Sequence, residues 1–235
     1  LRVTDAVEEG RRAGYRIDVC VPSGNFGNIY AGFLARSMGV PIRRLILATN
    51  ENNVLEEFFT TGIYRPRSAE DTLATSSPSM DISKASNLER FIWALLGPEI
   101  FVQRWAELET TGTLDLRDQL PRLREEFGFV AGTSSHADRL EAIRTVKERS
   151  GRLIDPHTAD GVTVALRVME PGFPTLVMET AKAAKFPQTV AEALGSEPET
   201  PDVVADLLAR PQKVETIDNE EAPLRALIEE RALTR

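Results

Sequence analysis

An apolar run, Ile17-Asp18-Val19-Cys20-Val21, leads directly into Ser23-Gly24-Asn25-Phe26-Gly27-Asn28, and a helical pattern begins at Ile29. This junction limits the fold more than any other stretch. A strand with few polar interruptions is the pattern of one buried on both faces of a parallel sheet. A short polar turn that passes such a strand to a helix is a βα connection. The same turn suits an anion. Free backbone N–H groups point out of it, the helix N-terminus adds partial positive charge, and glycines let the backbone approach with no Cβ in the way. Strand–glycine–helix turns are common and many bind nothing, so the turn alone is generic evidence.

The rest of the chain repeats the alternation. Val3–Ala13 reads as a helix ended by Gly14. Ile29, Phe33 and Leu34 share one helix face, and Gly39 with Pro41 closes that helix. Arg44–Ala48 is a second strand, Thr49–Asn52 a polar loop, and Val54–Thr60 a short helix stopped by Gly62. Strand, helix, strand, helix at this spacing implies a right-handed βαβ unit. From Tyr64 to Ser83 the periodicity is lost and Ser, Thr and Pro accumulate, as in the long irregular loops that are often functional. Ser86 and Glu89 have the spacing of a capping box, and Leu88, Phe91, Ile92 and Leu95 follow at helical spacing. More helix is expected over Glu99–Leu108 and Leu116–Glu126. Residues 63–126 thus read as a helical insertion whose aromatics, Trp93 and Trp105 among them, belong to the core.

Alternation resumes with Phe129-Val130-Ala131 as a strand and Ser135-x-x-Asp138 capping a helix to about Arg149. Arg152-Leu153-Ile154 is a third apolar run, read as a strand, and Asp155-Pro156-His157-Thr158 opens a helix to Met169. Thr175–Met178 is a strand that delivers Glu179-Thr180-Ala181. Helices are expected at Phe186–Leu194, Pro201–Leu208 and 220–233, with Lys213–Ile217 as an edge strand. The fold class is α/β: a three-layer, open, mainly parallel sheet with flanking helices. Its sheet segments span about 1–60 and 127–217, on either side of the insertion.

Composition narrows the function. With 42% hydrophobic and 27% charged residues, the 235-residue chain is that of an ordinary globular protein. A net charge of −8 argues against nucleic acid or an anionic membrane as the main partner. The single cysteine, Cys20, sits in an apolar strand and reads as an inert buried thiol. His136 and His157 are too few and too far apart for a histidine-based metal site. No run approaches the roughly 18 apolar residues of a membrane span. The first residues do not look like a signal peptide, so a cytoplasmic location is expected. The chain opens on Leu1 inside a helical pattern and looks cut from something longer.

In an open parallel sheet, ligands bind beyond the carboxyl ends of the strands. The loops there are Ser23–Asn28, Thr49–Asn53, Asp155–Thr158 and Glu179–Ala181. All are rich in hydroxyls, amides or acids while the strands feeding them are apolar. That convergence points to a small-molecule site with an anion at the first loop.

A colinear series of motifs then becomes informative. Val-Pro-Ser-Gly-Asn-Phe-Gly-Asn (21–28), Gly39-Val40-Pro41-Ile42, Ala48-Thr49-Asn50-Glu51-Asn52 and Thr61-Gly62-Ile63-Tyr64 closely resemble threonine synthase. So do Ser77-Pro78-Ser79-Met80-Asp81-Ile82, Ser86-Asn87-x-Glu89-Arg90, Asp155-Pro156-His157-Thr158 and Ala184-Lys185-Phe186-Pro187. The series covers roughly residues 15–195.

The resemblance implies a pyridoxal 5'-phosphate enzyme of fold type II, tryptophan-synthase-β-like and here partial. The family is a carbon–oxygen lyase acting on phosphates, converting O-phospho-L-homoserine and water to L-threonine and phosphate. By that resemblance Gly24, Asn25, Phe26, Gly27 and Asn28, with help from Ser23, would hold the cofactor phosphate. Thr180 would hydrogen-bond the pyridine nitrogen, and a hydroxyl there leaves that nitrogen largely unprotonated. Ser77, Ser79 and Asp81 would line the substrate side, with His157 and Thr158 near the ring. The competing readings are a loop held by its own Asx and Ser turns and a satisfied buried histidine.

Two departures stand out. Where the family commonly reads Ala-His-Pro-Ala-Lys-Phe, this chain reads Ala181-Lys182-Ala183-Ala184-Lys185-Phe186, and Lys182 is expected to face solvent. The family's Schiff-base lysine lies in an N-terminal segment, and Lys84, Lys147, Lys182, Lys185 and Lys213 do not stand in its Phe-Lys-Asp setting. The chain therefore resembles a C-terminal portion whose partner is the N-terminal half. No catalytic residue is assigned within it, and as a fragment it is expected to be inactive. The alternatives are another fold-type-II lyase, such as a threonine dehydratase, or a non-catalytic relative that binds phosphorylated ligands.

Overall fold

A computed structural model describes residues 14–202, 206–207 and 209–232. The helix expected over Val3–Ala13 lies outside them, as does part of that expected over Pro201–Leu208. The chain runs through β1 (Ile17–Pro22), α1 (Gly27–Ser37), β2 (Ile42–Thr49), α2 (Val54–Thr61) and β3 (Ile63–Tyr64). It continues through α3 (Leu88–Leu96), α4 (Pro98–Thr111), β4 (Leu114–Asp115) and β5 (Phe129–Thr133). Then come α5 (His136–Ser150), α6 (Pro156–Val168), β6 (Thr175–Val177), α7 (Pro187–Leu194) and α8 (Glu221–Ala232). Residues up to Pro198 form one compact unit and Glu199–Arg235 a second, which carries α8.

Four strands form a wholly parallel sheet in the order β5-β2-β1-β6. Side chains alternate across each strand, and both faces are apolar. Val19, Val21, Leu45, Leu47 and Phe129 face Ile29 and Phe33 of α1 and Val54, Phe58 and Phe59 of α2. Cys20, Ile46 and Ala48 face the other way, onto Val164 and Ala165 of α6. Helix, sheet and helix make the three expected layers. The Cys20 thiol donates to the Gly161 carbonyl at 3.2 Å, and burial pushes its pKa up to about 12, so it is inert.

The insertion packs onto this same core: Leu88, Phe91, Ile92 and Leu95 of α3 are buried in the cluster of β1, β2, α1 and α2, and β3 and β4 pair antiparallel. Trp93 lies on the outer side of α3 and is 49% exposed, so it is not the core residue expected. Trp105 is half-buried and stacks on Phe101 at 5.3 Å. Three other expectations fail for physical reasons. The helix over Leu116–Glu126 breaks into a 3-10 turn, Arg117–Gln119, and a single π turn, Arg122–Glu126. Pro121 between them has no N–H to continue the ladder. Arg152-Leu153-Ile154 is not a strand, because Gly151 ends α5 and Asp155 caps α6, leaving too few residues to pair. Leu153 and Ile154 pack instead against Ala142, Ile143 and Ala159. Lys213–Ile217 is exposed coil with no apolar face to bury.

Ser135 and Asp138 form the expected capping box. Ser86 and Glu89 do not: Asn87 is the N-cap of α3, and Ser86 Oγ donates to Asn25 Oδ1 at 3.1 Å.

The start of β1 is fastened electrostatically. Asp18 is fully buried and accepts from Arg43 Nε at 2.8 Å and Nη2 at 2.6 Å, and from Arg44 Nε at 3.0 Å and Nη2 at 2.7 Å. Burial alone would raise its pKa, but the two guanidinium groups overcome this and hold it below the ordinary carboxylate value. A depressed carboxylate contributes stability above its unfolded pKa and loses it as pH falls through the folded value. Removing one member of a buried pair costs about 3 kcal/mol or more. Asp18→Asn should therefore lower stability by about that amount in urea denaturation at pH 7, with the gap to wild type closing only below about pH 4.

Candidate functional site

The strand order reverses direction at β1: β2 and β5 add on one side, and the chain returns to add β6 on the other. Ligand sites of open parallel sheets lie at such a switch, outside the carboxyl ends of the strands. A cavity of about 290 Å³ opens there, lined by Pro22, the whole turn Ser23–Asn28, and Ser79, Met80, His157, Thr180, Ala181 and Lys185. Among the described residues no carboxylate lines it, although the chain as a whole carries a net charge of −8.

Phe26 shapes the turn. At φ 67° it is the one non-glycine residue with positive φ among the described residues. Such a conformation costs on the order of 1–3 kcal/mol. Its ring is fully buried, stacked on Phe59 at 5.5 Å and Phe129 at 6.0 Å and tilted against Phe91 at 5.5 Å. Burying such a ring contributes about 1.5–3 kcal/mol, which offsets the strain. With the ring anchored below, the backbone above is fixed. Among the described residues, no protein group accepts from the amides of Gly24 through Asn28. α1 begins at Gly27 and adds the positive end of its dipole.

The turn is wedged between two neighbours. A Cβ on Gly24 would lie 2.9 Å from Ile82 Cγ1 and 3.1 Å from Met80 Cα, and one on Gly27 would lie 3.0 Å from Asn87 Nδ2. The Asn25 carbonyl accepts from the Asn87 amide at 3.1 Å.

Asp81 organises the irregular loop. Its Oδ1 accepts from Asn50 Nδ2 at 2.7 Å, Asn52 Nδ2 at 3.0 Å and Thr75 Oγ1 at 2.7 Å, and its Oδ2 from the Thr75 amide at 2.9 Å. Both oxygens are used, and Asp81 stands outside the residues that line the cavity. Ser77 is also set back. It is fully buried, with Oγ 2.5 Å from His157 Nδ1. Thr158 is held behind as well: Asp155 caps α6 by accepting from the His157 amide at 2.9 Å, the Thr158 amide at 3.2 Å and Thr158 Oγ1 at 2.5 Å. Of that expected group, Ser79 and His157 reach the cavity. His157 is 3% exposed and meets Phe186 edge-on at 4.7 Å. Burial lowers its pKa; the Asp155 and Asp81 carboxylates oppose this, while Lys185 and Arg139 reinforce it, so the imidazole is neutral at pH 7.

Sequence reading overlooked Arg139. Its fully buried guanidinium donates to Glu51 Oε1 and Oε2 at 2.8 and 2.9 Å, to Asp160 Oδ1 at 3.0 Å and to Ser76 Oγ at 2.9 Å. One cation thus ties the loop after β2, the irregular loop and α6 together. Asp160 is fully buried, and burial pushes its pKa up to about 7 against the pull of Arg139 and of the Ser77 and Ser134 hydroxyls. An acid amid the buried residues of α6 was the available signal. Lys182 pairs with Glu179 at 2.5 Å and is exposed, as expected, whereas Lys185 lines the cavity. Among the described residues no cluster of His, Cys, Asp or Glu could hold a metal ion, and no helix is long and apolar enough to cross a membrane.

An open parallel sheet with a glycine-containing turn at its switch point, sharing one cavity with a hydroxyl, is the architecture of the fold-type-II pyridoxal-phosphate proteins. Residues 158–228 match the family model described as threonine synthase, C-terminal. The chain is 48% identical over 218 residues to threonine synthase of Methylobacillus glycogenes, covering 92% of this chain and 46% of that protein. It is 50% identical over 212 residues to that of Corynebacterium glutamicum, covering 87% and 44%. A PLP-bound threonine synthase from Brucella melitensis superposes with a TM-score of 0.83 at 34% identity, covering 97% of this chain and 48% of that one. The yeast enzyme gives 0.80 at 29% identity, covering 93% and 47%. The chain belongs to the threonine synthase family and spans about half the length of the curated relatives it matches.

Because Phe26 supports both core and turn, Phe26→Ala should cost about 3–5 kcal/mol in urea denaturation.

Proposed function

We propose that this chain supplies the phosphate cup and the ring-edge contact for pyridoxal 5'-phosphate in a cytoplasmic threonine synthase that converts O-phospho-L-homoserine and water to L-threonine and phosphate. One observation carries the reading: a run of amides at a helix N-terminus that have no protein acceptor among the described residues, in a cavity lined by Thr180 and by no described carboxylate. The residues fit a phosphate monoester. Gly24 and Gly27 let the turn pack closely against Met80, Ile82 and Asn87, and the turn and α1 present donors and positive charge to the oxygens.

When bound, the cofactor supplies the electron sink for the carbanions of the reaction. The chain's own residues bind and orient. Ser23–Asn28 would hold the phosphate, and the Thr180 hydroxyl, which lines the same cavity, would hydrogen-bond the pyridine nitrogen. A hydroxyl there, unlike an acid, does not add a proton to the ring. Ser79 and His157 form the wall on the substrate side, and Lys185 adds positive charge toward an anionic substrate. Asp81, Ser77 and Thr158 act one layer back by holding that wall. The lysine that anchors the cofactor and moves the reaction's protons belongs, by family resemblance, to the N-terminal half, the partner of this chain.

Two results are expected. The purified 235-residue chain makes no threonine from O-phosphohomoserine, and turnover in a phosphate-release assay would overturn the division of labour. In the full-length protein, Gly27→Asp puts bulk and negative charge in the cup, so the variant purifies without the cofactor's visible absorbance. A yellow Gly27→Asp protein with full cofactor content sinks the assignment.

A further inference from the structure

His157 Nε2 is buried without a hydrogen-bond partner, on a residue that lines the cavity. A buried polar atom left unpaired is costly, and one at a ligand site has a partner to find. A neutral imidazole offers one donor and one acceptor, and the group met by one nitrogen sets the role of the other. Nδ1 faces the Ser77 hydroxyl at 2.5 Å.

The Ser77 backbone is pinned. Its amide donates to Thr75 Oγ1 at 3.0 Å, its carbonyl accepts from Asn50 Nδ2 at 3.2 Å, and the preceding Ser76 is held by Arg139. The hydroxyl's other neighbours are Met80 Sδ at 3.5 Å, a weak acceptor, and the buried Asp160 carboxyl, whose pKa is raised to about 7; below that pH the protonated acid does not compete, and the Ser77 proton goes to Nδ1. Two acids and two cations, Asp155, Asp81, Lys185 and Arg139, act on the ring. Both carboxylates are spent elsewhere, Asp155 on the first turn of α6 and Asp81 on Thr75, Asn50 and Asn52. Neither hydrogen-bonds the imidazole. An acceptor at Nε2 would set lone pair against lone pair in a cavity built for an anion; a donor there completes the set.

We propose that Ser77 fixes His157 in the Nε2–H form and that this N–H is a further donor to a phosphate group held in the cavity, with Arg139 as the positioning residue that keeps Ser77 in place. The proposal rests on the phosphate-cup reading above. The cofactor's phosphate and the substrate's present the same oxygens, and the experiment separates them.

The test uses the full-length protein with ¹⁵N-labelled histidine, His157 being assigned by its loss in His157→Gln. The cofactor-free wild type should show the Nε2–H tautomer, and inorganic phosphate should shift that signal. Affinity for inorganic phosphate, affinity for pyridoxal 5'-phosphate and KM for O-phosphohomoserine are then compared across variants. His157→Phe keeps a flat ring against Phe186 but lacks the donor, and should weaken phosphate binding about tenfold or more. His157→Gln keeps an N–H at similar reach and should stay within about threefold of wild type, an outcome that a packing role would reverse. A loss in cofactor affinity identifies the cofactor's phosphate as the acceptor, and a loss confined to KM identifies the substrate's. An Nδ1–H tautomer, or His157→Phe matching wild type in all three measurements, overturns the proposal. Gly27→Asp separates the two layers. If it abolishes phosphate binding while His157→Phe does not, this inference alone fails. If Gly27→Asp leaves phosphate binding intact, the cup reading fails with it.

Discussion

The seating of Phe26 is the constraint on which the site depends. Its ring belongs to the aromatic core with Phe59, Phe91 and Phe129, and its backbone belongs to the turn Ser23–Asn28 that lines the cavity. A left-handed residue at a strand–helix junction is unfavourable by itself, and a smaller side chain would let the turn relax to an ordinary conformation. The buried ring prevents that relaxation. Hydrophobic packing on one face of the sheet thereby holds a row of amides open on its carboxyl edge, in a state that only a ligand or solvent can satisfy.

Polar groups do the corresponding work on the other walls. Asp81 collects four hydrogen bonds from three residues and turns a long irregular segment into a fixed wall. Arg139 holds Glu51, Ser76 and Asp160 with one planar group, a geometry that the fork of donors in arginine allows and a lysine ammonium does not. One cation faces two carboxylates, the more buried of which has its pKa raised to about 7. Both hubs sit behind the cavity, so the lining stays free of acids.

The strands of the parallel sheet and the loops at their carboxyl ends were legible in the sequence because burial on both faces leaves apolar runs, and the polar loops follow those runs directly. The turn was legible because two glycines and a strand–helix junction leave few other structures. Equal local signals diverged where tertiary partners decided. Ser135 and Ser86 both precede an acid by three residues, yet Ser86 gives its hydroxyl to Asn25 from a distant part of the chain. Leu153 and Ile154 have the apolarity of a strand and serve as a link between two helices. Arg139 was hidden for a related reason: periodicity registers where apolar residues recur, and a buried cation among helical polar residues resembles a surface one. Its partners are up to 88 residues away, beyond any local window.

The contact of Ser86 and Asn87 with Asn25 has a mechanical meaning. The helical insertion is joined to the turn twice, by these polar bonds and by the Phe26–Phe91 ring contact. Two attachments on different sides remove the hinge that one would leave. Residues 86–96 are therefore fixed to the turn at two points, so the position of the insertion and the conformation of the turn are set together although Ser86, Asn87 and Phe91 do not line the cavity.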